Sequence, residues 1–163
     1  MNKNKRNIKS IILDFDGVLT NNMVYVGEDG NESVRCNRSD GLVINILKKC
    51  GINFLILSTE SNKVVRVRAK KLKIDCYNNI KNKQKKIIEL NDKKIISLSS
   101  CLYIGNDIND YKCIKMFKFS ACPKDSHPDI KKVVKWILSK KGGEGILHEV
   151  AEKILKIKLI NYF

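Results

Sequence analysis

The chain has 163 residues, 43% hydrophobic and 7% aromatic, enough for one folded domain over 1–163 and too short to favour two. No apolar run approaches the ~20 residues of a membrane span, and the basic N-terminus lacks the apolar core of a signal peptide, so the expectation is a soluble, cytoplasmic protein with no membrane partner. A formal charge of +15 admits an anionic partner, but the lysines form no dense basic block, which argues against nucleic acid and suits a small anionic substrate.

In chain order, the β-branched run over 8–16 predicts a buried strand, and 23–36 predicts a hairpin around Gly27-Glu28-Asp29-Gly30. Leu42, Val43, Ile46 and Leu47 recur at helical spacing as far as Gly51, and 52–58 reads as a buried strand. A basic amphipathic helix over 62–74 leads to a short extended piece at 75–80. The helix over 82–92 has Ile87, Ile88 and Leu90 on its apolar side, and a connector runs to 100. A buried strand over 101–107, a helix over 109–117, a short strand at 119–123 and a helix over 128–138 follow. A glycine break at 140–145 and a last helix over 146–157 fall within a C-terminal tail, 140–163.

Strands alternating with helices define an α/β class, a Rossmann-like three-layer sandwich with a central parallel sheet, in which ligands bind beyond the carboxyl ends of the strands. The polar residues at those ends are Asp14 and Asp16, Ser58 and Thr59, and Asn106 and Asp107. Alone, the Asp14-x-Asp16-Gly17 stretch fits a helix cap or a turn as well as a site. A second acidic pair, Asp107 and Asp110, ends another strand, and Lys83 opens the helix before it. So many like charges at one sheet edge call for a cation, and Mg²⁺ held by oxygen ligands is the simplest choice. The six cysteines show no C-x-x-C pair and the chain has two histidines, so the thiols read as buried and reduced rather than zinc-binding.

The stretches DFDGVLT, LILS, Lys83 and YIGNDIND resemble, in order and spacing, the four motifs of the haloacid dehalogenase superfamily of phosphotransferases. The resemblance implies that Asp14 attacks phosphorus, that Asp16 carries the proton, and that Ser58 and Lys83 hold the transferring oxygens. Backbone N–H groups after Asp14, freed by Gly17, would cradle the phosphate. Metal ligands would be Asp14, Asp16 and either Asn106 or Asp107, since this chain has a neutral amide where the family commonly has a first aspartate.

DFDGVLTNNMVYVGEDGNE, RSDGLVINILKKCGI and KKGGEGILHEVAEKIL are similar to the capless branch that holds phosphatases of 3-deoxy-D-manno-octulosonate (KDO) 8-phosphate and of nine-carbon sialic acid or KDN 9-phosphates. That likeness implies no separate cap and a Mg²⁺-dependent homotetramer whose hairpins and tails help close neighbouring active sites. Thr59 and Glu60 would border the substrate, and Glu60, with Arg68 and Lys71 on the basic helix, looks more like the nine-carbon enzymes and the cytidylyltransferase-fused domains. Arg68 or Lys71 would pair with a sugar carboxylate, or form an ordinary solvated helix face. The expected activity is removal of the terminal phosphate of a sugar acid made for surface polysaccharide. The alternative is a weak or inactive oligomerisation module like the domain fused to some acylneuraminate cytidylyltransferases. His148 reads as a helix-face residue.

Overall fold

The computed structural model describes residues 7–162; the basic stretch 1–6 and Phe163, counted above in the domain and its tail, lie outside the described residues. Strand β1 (Ser10–Leu13) alternates its side chains between two cores: Ile11 and Leu13 enter one, Ile12 the other. The same period of two places Leu102 and Ile104 of β6 (Cys101–Ile104) on the first face and Cys101 and Tyr103 on the second. A strand buried on both faces has no polar side, which is why these segments are continuous apolar runs.

Between them come β2 (Thr20–Val26) and β3 (Glu32–Cys36), an antiparallel hairpin, then α1 (Arg38–Lys49), β4 (Asn53–Leu57), α2 (Val64–Leu72), β5 (Asp75–Tyr77) and α3 (Lys83–Asp92). After β6 come α4 (Tyr111–Ile114), β7 (Phe119–Cys122), α5 (Pro128–Val133), β8 (Trp136–Ile137) and α6 (Ile146–Glu149). The sheet has six parallel strands in the order β5-β4-β1-β6-β7-β8, and the hairpin is a separate two-stranded sheet with no cap domain beside it. Asn37 caps α1 by accepting the Ser39 N–H, and Gly51, where the sequence predicts the helix to stop, follows it at φ +80.

Several boundaries differ from expectation. Leu42 (44% exposed) and Ile88 (50%) lie outside the helix faces assigned to them, and Ile44 is buried in place of Leu42. The expected helix over 128–138 stops at Val133. Val134 is extended at ψ 154, and Trp136–Ile137 pairs with β7 as an eighth strand. The ring of Trp136 stacks on Phe119 at 6.1 Å, so an edge position on the sheet outweighs the helical pattern of the apolar residues. The helix expected over 109–117 is a 3₁₀ turn, Ile108–Asp110, followed by α4. The last helix changes to a π-helical turn over Val150–Ile154. Among the described residues no helix is long and apolar enough to cross a membrane.

Candidate active site

Register places the chemistry. Leu13 of β1 lies level with Ile56 of β4 and Ile104 of β6, so Asp14, Ser58 and Asn106 all emerge within two residues of one line across the sheet's carboxyl edge. The Asp14 N–H donates to the Ile104 carbonyl at 2.9 Å, which keeps the residue in the sheet's grip as the chain turns away. Asp14 is 4% exposed. Its Oδ1 accepts from the Phe15 N–H at 2.8 Å and from Lys83 Nζ at 2.9 Å. Both donors land on one oxygen, and Oδ2 receives no N–H among the described residues.

Lys83 is itself buried, and its ammonium is shared with Asp110 Oδ1 at 2.8 Å. Asp110 also accepts from the Tyr103 hydroxyl at 2.6 Å and, on Oδ2, from the Asn106 N–H at 3.0 Å. Sequence reasoning noted Asp110 as a charge but gave it and Tyr103 no role. The available signal was the spacing: four residues after Asn106, with a helical turn between, returns a side chain to the strand end.

Gly17 turns the loop at φ +73, and a Cβ there would collide with the Asn106 side chain, so glycine is required both by conformation and by this close approach. Asn106 is buried against that loop. Asp107 is exposed, and its carboxylate caps the Ile108 N–H at 2.7 Å. Thr20 begins β2 and turns its hydroxyl inward, donating to Asp16 Oδ1 at 3.5 Å and accepting the Gly17 N–H at 3.2 Å. The buried Ser58 Oγ accepts the Glu60 N–H at 3.1 Å, while Thr59 is exposed. Glu60 joins Asp16, Glu32 and hairpin residues around a cavity of about 160 Å³.

Two predicted residues stand apart. Arg68 donates to the Asn37 carbonyl at 2.7 Å, tying α2 to the start of α1, and Lys71 is exposed on α2. The tail packs on earlier loops of the same chain: Gly143 N–H donates to Val18 O at 3.1 Å, Gly142 N–H to Asp125 Oδ1 at 3.0 Å, and a Cβ on Gly142 would strike the Gly17 carbonyl. Glu144 is exposed and His148 half-buried on the tail.

Electrostatically the pocket holds more anion than cation. Burial first, and the Asp110 charge second, push the Asp14 carboxyl well above its ordinary 3.8, while Lys83 pulls it back. Burial opposes the Lys83 ammonium, but Asp14 and Asp110 more than offset it and hold its pKa above 10.5. Asp16 is raised by burial and then by Glu60, with the Thr20 hydrogen bond acting the other way. One ammonium among Asp14, Asp16 and Asp110 leaves a deficit that a hard divalent cation fits. Among the described residues no three His, Cys, Asp or Glu side chains form a metal cage.

The model of the haloacid dehalogenase-like hydrolases matches residues 45–150. The chain belongs to that family. Among curated haloacid dehalogenase-like proteins, it is 29% identical over 150 residues to the 3-deoxy-D-manno-octulosonate 8-phosphate phosphatase KdsC of Escherichia coli K12, covering 91% of this chain and 80% of that one. The phosphatase of the same name from Moraxella catarrhalis, solved with magnesium, phosphate and KDO, superposes at TM-score 0.87 with 32% identity, covering 93% of this chain and 87% of that one. A cobalt-bound deoxy-D-mannose-octulosonate 8-phosphate phosphatase from Haemophilus influenzae superposes at 0.86 with 28% identity, covering 93% and 89%. This homology to KdsC supports a phosphatase.

Proposed function

We propose that the chain hydrolyses the terminal phosphate of a 3-deoxy-2-ulosonic acid, KDO 8-phosphate or a nine-carbon KDN or sialic acid 9-phosphate, through an aspartyl phosphate on Asp14. The observation that carries this is the Lys83 ammonium fixed at 2.9 Å from Asp14 Oδ1, which leaves Oδ2 to attack. The Asp14 oxygen forms a bond to phosphorus as the bond from phosphorus to the sugar oxygen breaks, and Asp16 gives its proton to the departing alkoxide. Water then attacks the aspartyl phosphate, returns a proton to Asp16 and releases inorganic phosphate. Burial, and then the Glu60 charge, raise the Asp16 pKa above 3.8, the direction that favours a carboxyl able to carry a proton.

Asp14, the main-chain carbonyl of Asp16, whose carboxyl carries the proton, and the Asn106 amide oxygen would hold Mg²⁺, with Asp107 as the alternative that its exposure and capping bond disfavour. Bound there, the cation offsets the repulsion between carboxylate and phosphate. Ser58, Lys83 and the N–H groups around Gly17 hold the phosphoryl oxygens, Thr59 borders them, and Glu60 accepts sugar hydroxyls. Lys71 is better placed than Arg68 to meet the sugar carboxylate, because the Arg68 guanidinium is tied to Asn37. The hairpin exposes Met23, Val24, Tyr25 and Val26 side by side, which supports a homotetramer assembled through it, with sites at subunit interfaces.

Phosphate release from a panel of eight- and nine-carbon acid phosphates, with and without Mg²⁺, tests the reading. Wild type should turn over at least one member, and Asp14→Asn should abolish turnover while keeping its melting curve. A wild type that releases no phosphate from any member refutes the reading. A second reading, a weak or inactive oligomerisation module, is favoured by the neutral Asn106 alone, and that negative panel is its signature.

A further inference from the structure

The mechanism uses Asp14, Asp16 and Lys83 and leaves out a phenol buried beneath them. Tyr103 is 0% exposed, and its ring stacks on Phe117 with 5.2 Å between centroids and 23° between planes. A ring in that position needs no hydroxyl for its packing, since phenylalanine has the same shape. A buried O–H carries a desolvation cost unless it is paired. Here it donates to Asp110 Oδ1 at 2.6 Å, the oxygen that also accepts Lys83 Nζ at 2.8 Å.

Asp110 has no exposed surface, so its rotamer is set by the donors around it: Tyr103 and Lys83 on one oxygen, the Asn106 N–H on the other. Lys83 then spans the gap to Asp14. The chain of contacts runs Tyr103, Asp110, Lys83, Asp14, with no solvent between its members. Burial, reinforced by Asp110 and Asp14, keeps the phenol protonated far beyond neutral pH, so it is always a donor. The adjoining Cys113 thiol is pushed up to about 11, chiefly by burial, and adds no charge.

We propose that Tyr103 is a positioning residue for phosphoryl transfer: its hydroxyl fixes Asp110, and Asp110 fixes Lys83 against the attacking carboxylate. The inference rests on the phosphatase reading above. Among the described residues, the Tyr103 hydroxyl bonds to Asp110 and makes no hydrogen bond to Asp14 or to the loop at Gly17. Without the hydroxyl, the Asp110 carboxylate turns more freely, and Lys83 loses its fixed distance to Asp14 Oδ1. A misplacement of that kind is felt in the transition state and not in ground-state capture of the phosphate.

The test compares wild type, Tyr103→Phe, Asp110→Asn and the double variant with Mg²⁺, on p-nitrophenyl phosphate and on the best substrate of the panel. Tyr103→Phe should melt cooperatively, keep KM within about twofold and lose about tenfold in kcat, the scale of one hydrogen bond to a charged group. The double variant should be no slower than Asp110→Asn alone, because both changes act through one carboxylate. An unchanged kcat, a KM that rises in step with the loss, or penalties that multiply in the double variant would overturn the proposal. So would a Tyr103→Phe protein that does not fold, since the hydroxyl would then serve the fold. Wild type inactive on both compounds refutes the phosphatase reading itself; an active wild type matched by Tyr103→Phe refutes only this role.

Discussion

Replacing Lys83 by methionine removes a charge while keeping most of the side chain's length. The ammonium is buried and bridges Asp14 and Asp110 at 2.9 and 2.8 Å, so the variant leaves two carboxylates facing each other without their cation. Removing one partner of a buried ion pair costs about 3–5 kcal/mol, and nothing here is exposed enough for solvent to soften it. The cost depends on pH in a definite direction. With Lys83 present, burial and Asp110 already hold the Asp14 carboxyl above 3.8, and without the ammonium it rises further. An acid whose folded pKa exceeds its unfolded one keeps its proton in the native state after the unfolded chain has lost it. The variant therefore gains stability as pH falls toward 3.8 and loses it as pH rises. In wild type the folded Lys83 pKa lies above 10.5, so its contribution is complete below 10.5 and is lost only as pH climbs through the folded value. The gap between the two proteins should be widest from neutral pH up to 10.5 and should narrow toward pH 4. Urea unfolding at a series of pH values, in metal-free buffer, measures it. A gap under about 1 kcal/mol near neutral pH, or one of equal size at both ends of the range, would refute the description of this site as anion-rich and dependent on Lys83.

Asn106→Asp should lower the Mg²⁺ concentration needed for half-maximal phosphate release by about tenfold, since a charged ligand replaces a neutral one; an unchanged requirement removes Asn106 from the ligand set. Asp40 is buried in α1, and burial raises its pKa from 3.8 to about 6 although its Oδ1 accepts the Leu147 N–H at 3.2 Å. Wild type should therefore lose about 3 kcal/mol relative to Asp40→Asn as pH rises from 3.8 to about 6, and a pH-independent difference in urea unfolding would contradict that. Gly142→Ala should cut kcat by about tenfold or more at saturating substrate, because its Cβ meets the Gly17 carbonyl and displaces the loop that carries Asp16; full activity in a folded variant would show that the tail's packing is immaterial.

Much of this arrangement was legible because two codes in the sequence are local. Alternation of side chains across a doubly buried strand marks β1, β4 and β6 as apolar runs, and polar residues directly after such runs can only lie at the sheet's edge. Asp14, Asp16, Ser58 and Asn106 stand out that way, whereas Lys83, at the start of a helix, is marked by the likeness of the motifs. What stayed hidden depends on partners distant in sequence. Trp136–Ile137 carries an apolar pattern that suits a helix, and only the free edge of β7 makes it a strand. Arg68 reads as a cation awaiting a ligand until the Asn37 carbonyl is seen in front of it. Tyr103 reads as one more core aromatic, because alternation reports which face a side chain takes and not what its last atom meets. The glycines at 142 and 143 read as a break between helices, and the structure shows that they also allow close contact with the chain's own loop.

Thr20 belongs to two machines at once. It is the first residue of the hairpin strand β2, and its hydroxyl is the hydrogen-bond partner of Asp16, the proposed proton carrier. The hairpin is thus a lever whose short arm ends inside the reaction centre and whose long arm, with Met23 to Val26, reaches into solvent. Anything that gripped the long arm would also set the angle of the short one, so an assembly through the hairpin and the proposed proton transfer would be geared through one threonine.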